Sequence, residues 1–203
     1  MSVFRDELVN MLPDHPLSRR LAKQTFLLSE FLEKEAPDFD PPKLDTKAIV
    51  HGHCHHKAIM RFHDEEAVMK QIGLDFQLLD SGCCGMAGSF GYEADKYDVS
   101  VKCGERALLP AVRRAALSTV IMADGFSCRE QISQQTSRHA MHLAEVMQMA
   151  QHHTRSFDGM YPEADLVERR HAGLRRSRLR TLAALAGLAC GAVILAKTIR
   201  KHR

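Results

Sequence analysis

The stretch Asp80-Ser-Gly-Cys-Cys-Gly-Met-Ala-Gly-Ser-Phe-Gly91 places two adjacent thiols among four glycines. In an extended strand neighbouring side chains point to opposite faces, so Cys83 and Cys84 reach one centre only where the backbone turns. Glycine permits that turn, because it adopts positive φ and lets a bulky group approach the main chain closely. The stretch therefore predicts a turn that presents both thiols to a ligand. A tight turn with two buried thiols and a vicinal disulfide are the alternatives.

Four cysteines follow predicted buried strands: Cys54, Cys83, Cys84 and Cys128. The strands are 76–80 before the glycine turn, 47–52 before Cys54, and 119–124 before Cys128. Helical patterns separate them, over 65–72 with Gly73 as its stop, and over 94–109, which Pro110 interrupts. Parallel strands joined by right-handed helical crossovers end on the same edge of a sheet. The sequence predicts an α/β fold, with a small parallel sheet, helical crossovers and a C-terminal apolar helix.

Four thiols at one sheet edge indicate a metal centre. Soft sulfur ligands select iron–sulfur clusters, zinc or copper(I). Widely separated ligands with an adjacent pair suit a cluster, whose sulfurs accept hydrogen bonds from backbone N–H groups. We therefore expect an iron–sulfur cluster, of the 4Fe-4S type, bound by Cys54, Cys83, Cys84 and Cys128. A vicinal pair that cycles between thiols and disulfide is an alternative, but it leaves Cys54 and Cys128 without a role.

Other residues near these thiols have weaker signals. Five histidines fall in one neighbourhood and suggest a zinc site, although no Cys-x-x-Cys pair accompanies them: His51, His53, His55, His56 and His63. Cys103 lies in the middle of a helical pattern among apolar neighbours, which is typical of a packed thiol. We expect four residues to support the centre through contacts with its ligands: His53, His55, Gly85 and Ser127.

Composition limits the class of protein. A chain of 203 residues that is 45% hydrophobic can bury one sizeable core. Its net charge of +3, with the basic residues crowded into the last 35 positions, argues against nucleic acid as a partner. Six cysteines without a recognisable signal peptide favour a reducing cytosol over a secreted disulfide framework.

The regions outside the predicted sheet are helical or basic. Helices are predicted over 4–11 and from Asp14 to Ala36, before a proline-rich linker at 37–43. The predicted organisation is a helical segment at 1–36, the cysteine-rich α/β domain at 47–152, a basic linker at 153–180 and a membrane helix at 181–199.

The membrane prediction rests on the apolar run Leu182–Ala196, between two basic clusters. As a helix this run is about 22 Å long, shorter than the roughly 30 Å hydrocarbon core, and snorkelling of Arg180 and Lys197 makes up part of the difference. The charges place the N-terminal domain on the cytoplasmic face. Cys190, inside the run, is interpreted as a small apolar residue. A membrane-surface helix and a buried helix are the alternatives.

Three motifs together resemble a known family. They are His53-Cys-His55, Ser81-Gly-Cys-Cys-Gly-Met-Ala-Gly-Ser-Phe-Gly91 and Ala123-Asp-Gly-Phe-Ser-Cys-Arg-Glu-Gln-Ile132. They are similar to the cysteine-rich CCG domain of iron–sulfur oxidoreductases, above all to the C-terminal part of FAD-linked 2-hydroxyacid oxidases of the glycolate or D-lactate type. The resemblance covers residues 3–150. It implies an electron-transfer domain that works with a flavoprotein dehydrogenase subunit, or with a missing N-terminal half, which carries the FAD.

The chain departs from that family in two ways. Related domains carry two cysteine repeats and this chain carries one, so it resembles a C-terminal piece. We expect four apolar residues to pack against the missing part: Leu8, Leu17, Leu21 and Phe31. The family's repeat ends in Cys-x-x-Cys, whereas Gly125 stands three residues before Cys128, which leaves four thiolates. A non-catalytic remnant or a zinc-binding module of the same fold is the competing interpretation.

Overall fold

The computed structural model describes residues 1–152, 157 and 159–201 of the chain. By packing, the chain divides into two compact units, Met1–Glu163 and Ala164–Arg203. The first unit contains the sheet and the four predicted ligand cysteines. The second contains one long helix, Ala164–Lys201. The segment limits predicted from the sequence stay predictions.

A three-stranded, all-parallel sheet lies at the centre of the first unit. Its strands are β1 Thr46–Val50, β2 Leu74–Leu78 and β3 Val120–Met122. The order is β2-β1-β3, so the first strand along the chain is the central one, and Ala48 lies opposite both Phe76 and Val120. β3 is buried at every position, which is typical of a parallel sheet covered on both faces. The predicted α/β fold with a small parallel sheet is confirmed.

The part of the chain that the structure describes contains nine α-helices. They are α1 Leu8–Met11, α2 Pro16–Lys23, α3 Leu28–Lys34, α4 His63–Ile72, α5 Tyr97–Glu105, α6 Leu108–Arg114, α7 Phe126–Gln135, α8 Leu143–Ala150 and α9 Ala164–Lys201. α4 leads from β1 to β2, and α5 with α6 leads from β2 to β3. α4 ends at Gly73, whose φ is +94° and whose N–H donates to the carbonyl oxygens of Met69 and Lys70. The predicted crossover helix and its glycine stop are confirmed.

Two predicted helices are divided differently in the structure. α5 ends at Glu105, and Pro110 lies in the first turn of α6, where its missing N–H costs no hydrogen bond. The predicted helix from Asp14 to Ala36 is broken between α2 and α3. There the carboxylate of Glu30 accepts a hydrogen bond of 2.9 Å from the N–H of Leu27 and so starts a new helix. Glu30 is itself buried and paired with Arg5.

A buried ion pair holds the end of the first unit against the sheet. The Arg138 guanidinium donates to Glu163 through Nε at 2.7 Å and Nη2 at 3.1 Å. It also donates to the carbonyl oxygen of Thr119, the residue before β3, at 2.6 Å. Both side chains are almost fully buried, at 4% and 2% exposure. Glu163 therefore belongs to the packed unit Met1–Glu163.

The predicted membrane segment is wrong. Within the part of the chain that the structure describes, no helix combines the length and the apolar character needed to cross a bilayer. α9 is long enough, but its first half is rich in arginine, and the apolar run that follows is short and composed largely of Ala and Gly. The single C-terminal membrane segment and the cytoplasmic membrane face inferred from it are both corrected by this finding. The Cys190 side chain lies outside the described residues.

A buried carboxyl group lies beside the sheet. Glu65 of α4 is 1% exposed, and its Oε1 has no hydrogen-bond partner among the described residues. Burial raises the pKa of Glu65 to about 9, the neighbouring Asp124 carboxyl contributes to the rise, and the Ser29 hydroxyl partly offsets both effects. Glu65 is therefore protonated in the folded protein at neutral pH, whereas in the unfolded chain it ionises near its ordinary pKa of 4.5.

We expect stability to fall as pH rises between these two pKa values. In that range the folded state holds a proton that the unfolded state releases, so the free energy of unfolding decreases by up to about 1.4 kcal/mol per pH unit. Glu65→Gln should flatten the decrease, because the amide keeps the size of the side chain but does not ionise. Urea denaturation of the metal-free protein from pH 5 to 8.5 measures the free energy of unfolding at each pH. Glu66→Gln, which changes a partly exposed carboxyl group, is the control. Equal slopes for wild type and Glu65→Gln would rule this explanation out.

Candidate metal centre

Three segments leave the carboxyl edge of the sheet side by side. The N–H of Leu79 donates to the carbonyl oxygen of Val50, and the N–H of His51 donates to that of Met122, both at 2.9 Å. These bonds continue the strand pairing one residue beyond β2 and β1. The segments that follow the three strands, 51–54, 79–84 and 123–128, therefore begin together.

The four predicted ligand thiols lie at this edge as two interacting pairs. Cys84 and Cys128 are buried, at 3% and 1% exposure, and their Sγ atoms lie within 4.8 Å of each other. Cys54 and Cys83 occupy exposed positions, and the raised pKa of Cys83, caused mainly by burial, also reflects the nearby Cys54. The five cysteines whose side chains the structure describes are all free thiols. Each member of the adjacent pair thus faces a cysteine from another strand end.

The local electrostatics favour a thiolate at Cys84. The hydrogen bond from Cys128 lowers the pKa of Cys84 to about 4; burial opposes the shift, and His51 and the N–H of Met86 support it. The same hydrogen bond raises the pKa of Cys128, which keeps the shared proton. Burial raises the pKa of Cys83, although the N–H of Gly85 donates to its Sγ at 3.3 Å. Metal binding would release these remaining protons, because a cation stabilises the thiolate form.

His51 completes the buried part of the edge. Its ligand nitrogen and the Sγ atoms of Cys84 and Cys128 lie within 4.8 Å of one another, and all three residues are buried. In the sequence His51 is one of five neighbouring histidines, and their spacing does not show which of them lies beside the buried thiols. Its place directly after the central strand is the one signal that would have singled it out.

The four expected supporting residues occupy different surroundings. The half-buried His53 lies against Gly125 near Cys128, and burial lowers its pKa, an effect that the charge of Cys84 partly offsets. The Nε2 atom of His55 is buried without a hydrogen-bond partner among the described residues. Gly85 donates to Cys83. Ser127 lies half-buried in the first turn of α7, and its role stays a prediction.

His53 also occupies the space beside Gly125. A Cβ atom built on Gly125 would lie 2.5 Å from Cδ2 of His53 and 2.9 Å from Sγ of Cys128. A larger residue at position 125 would therefore have to displace the imidazole. Cys103, half-buried in α5, is not among the interacting thiols, which agrees with its interpretation as a packed residue.

Gly85 is the least replaceable residue of the turn. Its φ is +97°, and a Cβ atom would lie 2.0 Å from the carbonyl oxygen of Ser100 in α5. We expect Gly85→Ala to destabilise the fold by about 2–4 kcal/mol, from the left-handed backbone and the forced shift of α5 together. Gly88→Ala is the control. Its φ is +66° but nothing lies within 4 Å of the added atom, so about 1–2 kcal/mol is expected. Urea denaturation of both variants compares them, and equal losses would contradict the contact with Ser100.

The residues present fit a thiophilic metal or cluster. They supply four sulfurs and one imidazole nitrogen, and soft donors of this kind bind iron–sulfur clusters, zinc or copper(I). His51 Nε2 is buried without a hydrogen-bond partner among the described residues, which is costly unless a ligand pairs with it. Repulsion among the thiolates contributes to the raised pKa of Cys128, and a bound cation would relieve it.

Comparison with known proteins finds distant relatives among dehydrogenases. Over 110 residues the chain is 29% identical to a subunit of the anaerobic glycerol-3-phosphate dehydrogenase of Escherichia coli, covering 53% of this chain and 27% of that protein. Over 82 residues it is 33% identical to D-2-hydroxyglutarate dehydrogenase of Pseudomonas putida, covering 40% and 8%. The Escherichia coli D-2-hydroxyglutarate dehydrogenase is 28% identical over 81 residues, again covering 40% and 8%.

No protein-family model matches the chain. No solved structure matches it either. The chain spans about a quarter of the first of these relatives and less than a tenth of the other two. It is thus a distant relative of short portions of much longer oxidoreductases.

Proposed function

We propose that this protein is the iron–sulfur electron-transfer component of a flavin-linked 2-hydroxyacid oxidoreductase. Cys54, Cys83, Cys84 and Cys128 are the cluster ligands in this proposal. When bound, the cluster supplies one-electron transfer between the flavin and a further acceptor. We expect the 4Fe-4S type.

The convergence of four thiols from three strand ends carries the proposal. The Sγ atoms of the buried Cys84 and Cys128 lie within 4.8 Å of each other, and Cys54 and Cys83 occupy exposed positions at the same sheet edge. Ligands that come from distant parts of the sequence fit a centre larger than a single ion. The exposed positions of Cys54 and Cys83 give that centre an open side, where a redox partner can approach.

The residues of this chain have distinct tasks at such a centre. The buried pair provides a thiolate that is ready at neutral pH, because the pKa of Cys84 is about 4. The Gly85 N–H points at Cys83 Sγ, and a donor in that position tunes the potential of a cluster by stabilising negative charge on sulfur. The buried residues around Cys84 and Cys128 exclude water from one side.

The partner we propose is an FAD-containing dehydrogenase, as a separate polypeptide or as another part of a longer chain. Two observations support this. One matched relative is named as a subunit of a larger dehydrogenase, and the chain covers only a small share of each of the three relatives. In addition, of the four residues expected to pack against a partner, Leu17, Leu21 and Phe31 are exposed at 61%, 40% and 47%, and Leu8 is half-buried. A 2-hydroxyacid is proposed as the electron source because two of the matched relatives are D-2-hydroxyglutarate dehydrogenases.

A zinc-binding module is the second candidate. The compact set of His51, Cys84 and Cys128, within 4.8 Å, favours it, because all ligands of one ion must lie that close together. In this case the protein would have a structural role and would not accept electrons.

Metal analysis of the protein separates the two candidates. Purified under anaerobic conditions and reconstituted with iron and sulfide, the protein should hold iron and acid-labile sulfide in equal amounts and show a reducible absorption band. Stoichiometric zinc, with no sulfide after reconstitution, would replace the electron-transfer proposal with the zinc module.

A further inference from the structure

We propose that His51 binds the metal directly through Nε2, as a nitrogen ligand beside the thiolates of Cys84 and Cys128. This inference rests on the proposed function only in assuming that the site binds a metal, of either kind. It adds to the cysteine set a ligand that the spacing of the cysteines does not predict.

The position of His51 in the sheet holds its ring beside the buried thiols. His51 directly follows β1, the central strand, and its N–H bonds to the carbonyl oxygen of Met122 at the end of β3. The backbone there is fixed from both sides of the sheet. The ring is 1% exposed, so it faces the protein interior, where Cys84 and Cys128 are the nearby metal-binding groups.

The two ring nitrogens of His51 differ in their hydrogen-bond partners. Nδ1 lies 2.6 Å from Oγ of the buried Ser81, which is a strong hydrogen bond. Nε2 is buried and has no hydrogen-bond partner among the described residues. When Nδ1 carries the proton and donates it to Ser81, Nε2 keeps its lone pair free for a metal. Metal-binding histidines typically have this arrangement, with one nitrogen held by a hydrogen bond and the other bound to the metal.

The distances between His51 and the two buried thiols also fit a shared metal. One ring nitrogen of His51 and the two Sγ atoms lie within 4.8 Å of one another. A metal binds sulfur at about 2.3 Å and nitrogen at about 2.0–2.1 Å, so ligands of one ion are at most about 4.6 Å apart. The three atoms therefore need only small movements to share a metal. Ser81 and Cys84 belong to one loop, so the hydrogen bond to Ser81 also fixes the ring relative to the thiols.

Nitrogen coupling to the metal tests the inference. Protein with 15N-labelled histidine rings is loaded anaerobically with iron and sulfide, reduced and measured by pulsed electron paramagnetic resonance. Wild type and His63→Gln, an exposed control on α4, should show a strongly coupled nitrogen, and His51→Gln should show none. Ser81→Ala should keep the coupling, because Ser81 only orients the ring. If the coupling is absent from wild type, or persists in His51→Gln, the inference is overturned while the iron and sulfide content still supports the proposed function.

A cobalt experiment keeps the inference testable if the protein holds no cluster. Co²⁺ alone is titrated into the metal-free protein, and nitrogen coupling and affinity are measured for the same variants. His51→Gln should lose the coupling and bind Co²⁺ about 100-fold or more weakly, while Ser81→Ala should lose roughly 10–100-fold and His63→Gln should match wild type. Thermal unfolding of each metal-free variant verifies that it is folded. Unchanged Co²⁺ affinity in a folded His51→Gln protein would overturn the inference.

Discussion

Replacing Cys84 with serine is expected to abolish iron and sulfide binding. The hydrogen bond from Cys128 lowers the pKa of Cys84 to about 4, and Cys84 lies buried near Cys128 at the point where segments from two strands meet. A serine hydroxyl does not ionise near neutral pH and is a poor ligand for iron, so the centre loses its ready thiolate and its contact with Cys128. Iron and acid-labile sulfide per protein after anaerobic reconstitution measure the effect.

Cys103→Ser is the matched control for this experiment. It removes a half-buried thiol from α5 but leaves the four interacting thiols unchanged, so the iron content should stay at the wild-type value. Cys128→Ser should resemble Cys84→Ser, because it also removes one of the two buried sulfur ligands of the proposed set. Full iron in Cys84→Ser together with loss in Cys103→Ser would show that the ligand set is wrong.

Glu163→Ala is expected to cost about 3–5 kcal/mol of unfolding free energy, because it leaves the buried Arg138 guanidinium without its counter-ion. Glu105→Ala is the control. It breaks a similar two-bond pair with Arg113, but that pair is exposed, and pairs of this kind contribute roughly 0.2–1 kcal/mol. Urea denaturation of the two metal-free variants compares them directly.

A double variant identifies the cause of the loss. Arg138→Met with Glu163→Leu removes both charges and should recover part of the stability, because no unpaired ion then remains buried. Recovery should be incomplete, since Arg138 also donates to the carbonyl oxygen of Thr119, which would lose that donor. If Glu163→Ala costs no more than Glu105→Ala, the pair is not shielded from water as the structure indicates.

The sequence predicts the parts of the fold that depend on local patterns. The apolar strands before Cys54, Cys83 and Cys128 are visible because a buried parallel strand is a short apolar run followed by a turn. Gly73 marks the end of α4 because a left-handed residue is required there. From the strand ends, the convergence of the four cysteines follows by topology alone.

The features that the sequence does not show depend on contacts between distant residues. The break between α2 and α3 depends on Glu30, which is held by Arg5 from a separate helical turn. His51 is one of five neighbouring histidines, and only the packing at the sheet edge shows that its ring faces the thiols. The membrane prediction for the tail is wrong because it gives apolar composition more weight than the length of the apolar run.

The origin of the ligands in three separate strand ends has a further consequence for folding. A metal bound at this edge would cross-link the segments after β1, β2 and β3, and thereby close two long loops of the chain. Metal that binds only the folded arrangement stabilises it by mass action. Loss of the metal would then loosen the strand ends first, and backbone amides near Leu79 and Ala123 would exchange with solvent before those in the middle of β1.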